Sequence, residues 1–111
     1  MTEVQQTSGG LRLVGFLDVR GVADVRSALH ALLDAADGDV HVDLSQLVAI
    51  DATGLALIVS VHRRALNQGR HLVLEGVGPS LARLLAVTRL HRVLTVRRAP
   101  SIELTRRRPA A

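Results

Sequence analysis

The chain has no cysteine, no tryptophan and no tyrosine, and Phe16 is its one phenylalanine. Without cysteine, disulfide cross-links and thiolate metal sites are excluded. The shortage of aromatic rings removes the stacking platforms on which single-stranded nucleic acid is held. Helix-turn-helix and zinc-finger spacings are also missing, so direct DNA binding is not expected. No apolar run approaches the roughly 20 residues that span a bilayer, so membrane insertion is not expected either. The opening "MTEVQQTSGG" is polar and has no signal-peptide core. These absences predict a soluble, cytoplasmic protein. Lysine is missing too, and all 14 basic residues are arginine.

What remains is rich in small aliphatic residues. The 111 residues are 48% hydrophobic, enough for one globular domain with its own core. The net charge of +4 is uneven. Residues 1–55 hold three Arg and eight acids, and residues 56–111 hold eleven Arg and two acids. A basic half invites a nucleic-acid interpretation. The "TRRRPAA" end reads more simply as a solvated tail.

Patterning divides the chain into a flexible N-terminal arm over 1–10, with a short strand around Val4, a folded domain over 11–98 and a fraying basic tail over 99–111. "LRLVGFLDV" predicts a strand running into a turn at Gly15. Val22, Val25, Leu29, Leu32 and Leu33 recur at helical spacing, and "DGD" at 37–39 stops that helix. Alternation of Val40, Val42 and Leu44 predicts a strand that continues to Asp51. Residues 54–68 suit a helix by length, with Arg63, Arg64 and then Gly69 as stop signals. "RHLVLEGV" predicts another strand. Pro79 opens a third helix with Leu81, Leu84, Leu85 and Thr88 on one face, and "HRVLTV" is a final strand candidate. Strands alternating with helices predict an α/β sandwich, a mixed central β-sheet of four to five strands with helices packed against it.

The junction "LVAIDATGLALIV" holds the candidate site. Asp51, Ala52, Thr53, Gly54 and Leu55 lie where the central strand meets its helix. The resemblance rests on three pieces in order: "GFLDV" at 15–19, "VDLSQLVAIDATGLALIV" at 42–59 and "GPSLARLLAVTRLHRVL" at 78–94. Together they resemble the STAS domains, in particular the stand-alone bacterial anti-sigma factor antagonists, over residues 11 to about 96. The resemblance implies a partner-switching regulator of transcription. The unphosphorylated domain docks on an anti-sigma factor that is also a Ser/Thr kinase and so frees a sigma factor. The kinase reverses this by phosphorylating the Ser that follows the loop Asp. Asp18 matches the family's acidic turn residue and Asp51 its loop Asp. Ala52 stands where the acceptor Ser is usual, so the phospho-serine switch is not expected. Thr53 follows, and Gly54 and Leu55 match. Arg89 stands where many relatives have Gly.

On physical grounds alone each residue also has a plain role. Thr53 would cap the helix by accepting a backbone N–H bond; its phosphorylation is the alternative. Asp51 would favour the helix N-terminus, orient a hydroxyl or meet a partner. Asp18 would close a turn. A phosphate at the corner would add about −1.5 to −2 charges and block docking by repulsion. His30, His41, His62, His71 and His91 are scattered without metal-site spacing, and His62 is expected to pack or cap locally. Ser45, Ser60, Ser80 and Ser101 lack a nucleophile-elbow setting, and Gly76 and Gly78 do not form a phosphate loop. Arg63-Arg64 and Arg97-Arg98 read as solvated faces. No metal and no cofactor are expected. The expected function is therefore binding: Asp18, Asp51, Ala52, Thr53, Gly54 and Leu55 meet an anti-sigma factor. A STAS subunit of a transporter or stress-signalling complex is the alternative, and a small enzyme using Asp51 and Thr53 is not favoured, because no base accompanies them.

Overall fold

A computed structural model describes residues 2–98; the expected tail at 99–111 lies outside them. Five strands form one sheet in the order β1-β2-β3-β4-β5. Strand β1 (Thr2–Thr7) pairs antiparallel with β2 (Gly10–Leu17), from Thr2 opposite Gly15 to Thr7 opposite Gly10. Strands β3 (Val40–Ile50), β4 (Leu72–Val77) and β5 (Thr95–Arg98) continue parallel to β2. The crossovers carry α1 (Val22–Ala35), α2 (Ala52–Asn67) and α3 (Pro79–Val87), followed by a short 3-10 turn at Leu90–Arg92.

The arm expected to be flexible over 1–10 is instead mostly an ordered edge strand, with the strand anticipated around Val4 at its centre. Its polar sequence hid this, because an edge strand keeps much of its surface wet while its backbone satisfies the neighbour's free edge. The Thr2 hydroxyl also donates to the Phe16 carbonyl.

Strand alternation decides what is buried. Leu11, Leu13, Val40, Val42, Leu44, Leu72 and Leu74 lie in the core with Val25, Leu29 and Leu33 of α1 and Leu57, Ile58 and Val61 of α2. Intervening positions carry polar pairs: Arg12 meets Asp43 at 3.1 Å, and the His41 ring and the Arg97 guanidinium meet Glu75 at 3.3 and 3.4 Å.

Three local expectations are corrected. Gly15 is not a turn but a point of irregular pairing inside β2, at φ 96°, which glycine tolerates. Helix α3 buries Ala82 and Leu85, while Leu81 and Leu84 are half-buried and Thr88 is exposed. In "HRVLTV", only Thr95 and Val96 belong to β5; the preceding residues form the 3-10 turn and a bend.

The site is positioned by unequal strand lengths. β3 has 11 residues, but β4 pairs only with Val40–Asp43. Its second half is paired on one side alone, with β2, up to Leu17 opposite Ile50. The carboxyl ends of β2 and β3 therefore finish side by side, and their outgoing loops are neighbours.

Candidate functional site

Asp51 joins those two loops. Its main-chain N–H donates to the Leu17 carbonyl at 3.1 Å. One side-chain oxygen, Oδ1, accepts the Gly54 N–H at 2.8 Å. The other, Oδ2, accepts the Val19 N–H at 3.2 Å, across to the β2–α1 loop. Asp51 is thus the N-cap of α2, and the expectation that Thr53 caps the helix is overturned. The helix begins two residues earlier than the apolar pattern predicted, at Ala52, so Thr53 falls inside the first turn. A residue there has no free helix N–H ahead of it in capping position. The Thr53 hydroxyl accordingly makes no hydrogen bond among the described residues, and the residue is exposed.

Gly54 is buried and needed for close approach. A Cβ there would lie 2.7 Å from the Leu17 carbonyl oxygen and 3.0 Å from Ile50 Cγ1. Leu55 is half-buried and packs against the core. Asp51 and Ala52 are both exposed.

Asp18 closes its own turn. Its Oδ1 accepts the Arg20 N–H and its Oδ2 the Arg20 guanidinium, both at 3.0 Å, and its carbonyl accepts the Gly21 N–H at 3.0 Å. The Arg20 side-chain hydrogen bond holds the carboxyl below its ordinary pKa. The fold therefore brings Asp18 beside the Asp51 corner through Val19, whose amide Asp51 holds.

Sequence patterning missed the apolar surface around this corner. Phe16, Val19 and Val48 are 47%, 67% and 69% exposed. Phe16 alternates out of phase with buried Leu13 and Leu17, a signal that was available. Val48 gave none: it is in phase with Val40, Val42 and Leu44 but lies beyond the reach of β4. There a cleft of about 390 Å³ opens between β3 residues Leu47 and Val48 and α3 residues Pro79, Leu81 and Leu84.

His62, on α2, is 1% exposed, and neither ring nitrogen completes a hydrogen bond. Burial lowers its pKa; the nearby Val93 main chain opposes that shift and His71 adds to it. Among the described residues, no group of three or more His, Asp or Glu side chains is placed to hold a metal ion. No helix among them is long and apolar enough to cross a membrane.

The Mlab, STAS domain family model matches residues 1–96. Over 94 residues the chain is 32% identical to an anti-sigma-B factor antagonist of Staphylococcus epidermidis, covering 84% of this chain and 86% of that protein. The solved structure of an anti-sigma factor antagonist from Mycobacterium paratuberculosis has a TM-score of 0.70 at 19% identity, covering 93% of this chain and 87% of that one. The anti-sigma factor antagonist SpoIIAA, in its unphosphorylated form, has a TM-score of 0.66 at 13% identity, covering 100% and 99% of the two chains. At such identities the two structures establish likeness of fold.

Proposed function

Because this chain belongs to the STAS domain family, we propose that it is an anti-sigma factor antagonist that docks on an anti-sigma factor of the serine/threonine kinase type and thereby releases a sigma factor. The observation that supports this best is the corner itself. Asp51 locks two loops into one exposed surface, with Ala52 and Thr53 facing solvent and Leu55 behind them. A surface already held in one shape by such hydrogen bonds loses less entropy on docking than a loose one. Asp18, Asp51, Ala52, Thr53, Gly54 and Leu55 form its centre.

Docking here operates without the usual phospho-serine. Ala52 has no hydroxyl, so the kinase finds no acceptor at the first position of α2. A phosphate there would sit beside the carboxylates of Asp51 and Asp18 and repel a partner that had accepted the unmodified surface. The test is to mix the chain with anti-sigma factor kinases from its own source and ATP. The expected complex persists, and no phosphate is incorporated. An Ala52→Ser variant gains phosphate and dissociates. Phosphate on Thr53 of the unaltered chain would sink the constitutive version. Failure to bind any such kinase, together with co-purification with a membrane ATPase, would replace the whole proposal by a transporter-subunit role.

A further inference from the structure

The cleft between β3 and α3 borders a length of sheet edge that no strand covers. Among the described residues, β4 pairs with β3 only over Val40–Asp43, and β3 runs on to Ile50. Residues 44–50 therefore have a strand neighbour, β2, on one side alone. β4 ends at Val77 because its chain turns away: Gly76 takes φ 67°, and Pro79 already opens α3. Beyond that point the lane that β4 would have filled is vacant. Beside it, Leu47, Val48, Ile50, Pro79, Leu81 and Leu84 line the cleft of about 390 Å³. A parallel strand edge and the apolar surface next to it are ordinarily covered.

The chain itself arrives at this lane. β5 runs parallel to β4 and ends at Arg98, which lies opposite Val77. Adjacent lanes are about 4.8 Å apart, and Ala99 with Pro100 can span up to roughly 7 Å. One step sideways thus carries the following residues alongside β3, in the direction β5 already has. Their sequence has the form of a strand with two unlike faces. In "SIELT", residues 101–105, Ile102 and Leu104 alternate with Ser101, Glu103 and Thr105. Pro100 precedes them, at a place where a strand tolerates a missing donor. An extended segment of that length covers about 17 Å of the roughly 20 Å along residues 44–50 of β3.

We propose that residues 101–105 dock in the vacant lane as a sixth strand parallel to β3, with Ile102 and Leu104 in the cleft and Ser101, Glu103 and Thr105 on the polar face of the sheet, the face of the Arg12–Asp43 pair. The segment gives the free edge of β3 its backbone partners and covers the exposed Val48. Tethering favours this occupant over a partner's segment of the same pattern, because so short a link holds it at an effective concentration on the order of mM. The inference goes beyond the docking role proposed above and does not depend on it.

The test exploits the absence of cysteine. The full chain carrying Val48→Cys and Leu104→Cys is oxidised mildly at high dilution, and disulfide formation is followed by intact mass and non-reducing electrophoresis. A disulfide needs its two Cα atoms within about 7 Å. The expected product is a cross-linked monomer. It should form at least about tenfold faster than with a control pair, Glu3→Cys and Leu104→Cys, because Glu3 lies on the far edge strand, three lanes or about 14 Å from the vacant one. Adding Ile102→Asp, which puts a carboxylate in the cleft, should slow the reaction to the control rate. Hydrogen exchange gives a second reading without cysteines. Ile102→Asp with Leu104→Asp should speed exchange in peptides covering residues 44–50 and leave those of α1 unchanged, which separates release of the segment from unfolding of the domain. Equal cross-linking rates in the two pairs, or exchange over residues 44–50 indifferent to these substitutions, would overturn the inference. A cross-link found only between two chains would defeat it as well, since the segment of a second copy would then fill the cleft.

Discussion

Asp51 divides its two carboxylate oxygens between two loops: one caps α2 and the other holds the Val19 amide. Alanine at this position leaves both amides to water and frees the β2–α1 loop. Losing an N-cap costs about 1–2 kcal/mol, and an equilibrium urea titration of Asp51→Ala should show a loss of at least that size. Asn keeps a capping oxygen and should recover most of the difference. A loss below about 0.5 kcal/mol on Asp51→Ala would mean that the cap contributes little. Thr53, by contrast, carries no structural duty in the first turn, so Thr53→Ala should leave that titration unchanged. The same separation bears on the proposed docking: Asp51 would shape the surface, and Ala52 and Thr53 would present it.

Among the elements, the α3-to-β5 connection is the one under backbone strain. Arg89 sits at φ 62° and ψ 13°, the one non-glycine residue among those described with positive φ. A left-handed conformation costs an L-residue roughly 1–2 kcal/mol, part of which glycine would give back as unfolded-chain entropy. Arg89→Gly should therefore raise stability by up to about 1 kcal/mol, read as a higher urea midpoint with an unchanged slope. Arg89→Ala keeps the strain and should not. This geometry is also the physical reason that a glycine would suit the position. Helix α1 shows a different dependence between elements: its last carbonyls are met by Arg70, which comes from the approach to β4 and donates to Leu33 at 2.6 Å and to Ala36.

For the molecule as a whole, acid should act in two steps. Buried His62 has its pKa lowered by desolvation, so the folded state favours neutral imidazole. The unfolded chain protonates it near about 6.5. The unfolded state then binds more protons, so this contribution is intact above that pH and declines as pH falls toward the lowered folded value. Asp18 and Asp43 act at lower pH. Both are held below the ordinary carboxylate value, Asp18 by Arg20; for Asp43, burial raises the pKa but hydrogen bonds from Ser45 and Arg12 outweigh it. Their contribution is present above about pH 3.9 and is lost as pH falls through the folded values. Urea midpoints measured from pH 7.5 downward should drop first below about 6.5 and again below about 4. His62→Leu should flatten the first drop and leave the second.

Hydrophobic periodicity was enough to place α1, the start of β3 and α3, because each repeats its apolar residues at the period of its own geometry; length and stop signals placed most of α2, and β4 was read as a short apolar run. The Gly69 stop of α2 was equally local, a glycine at φ 72°. The order of small residues from Asp51 to Leu55, together with two flanking pieces, was specific enough to point to the STAS family. Tertiary structure decided the rest. β1 exists because β2 has a free edge to satisfy, which its own polar residues do not announce. Asp51 rather than Thr53 caps α2, held in place by the Leu17 carbonyl at the end of β2 and the Val19 amide of the following loop, both more than thirty residues away in sequence. Val48 is exposed and Ala82 is buried for one reason: which strand or helix lies alongside is a property of the packed chain, and no period within a single element encodes it.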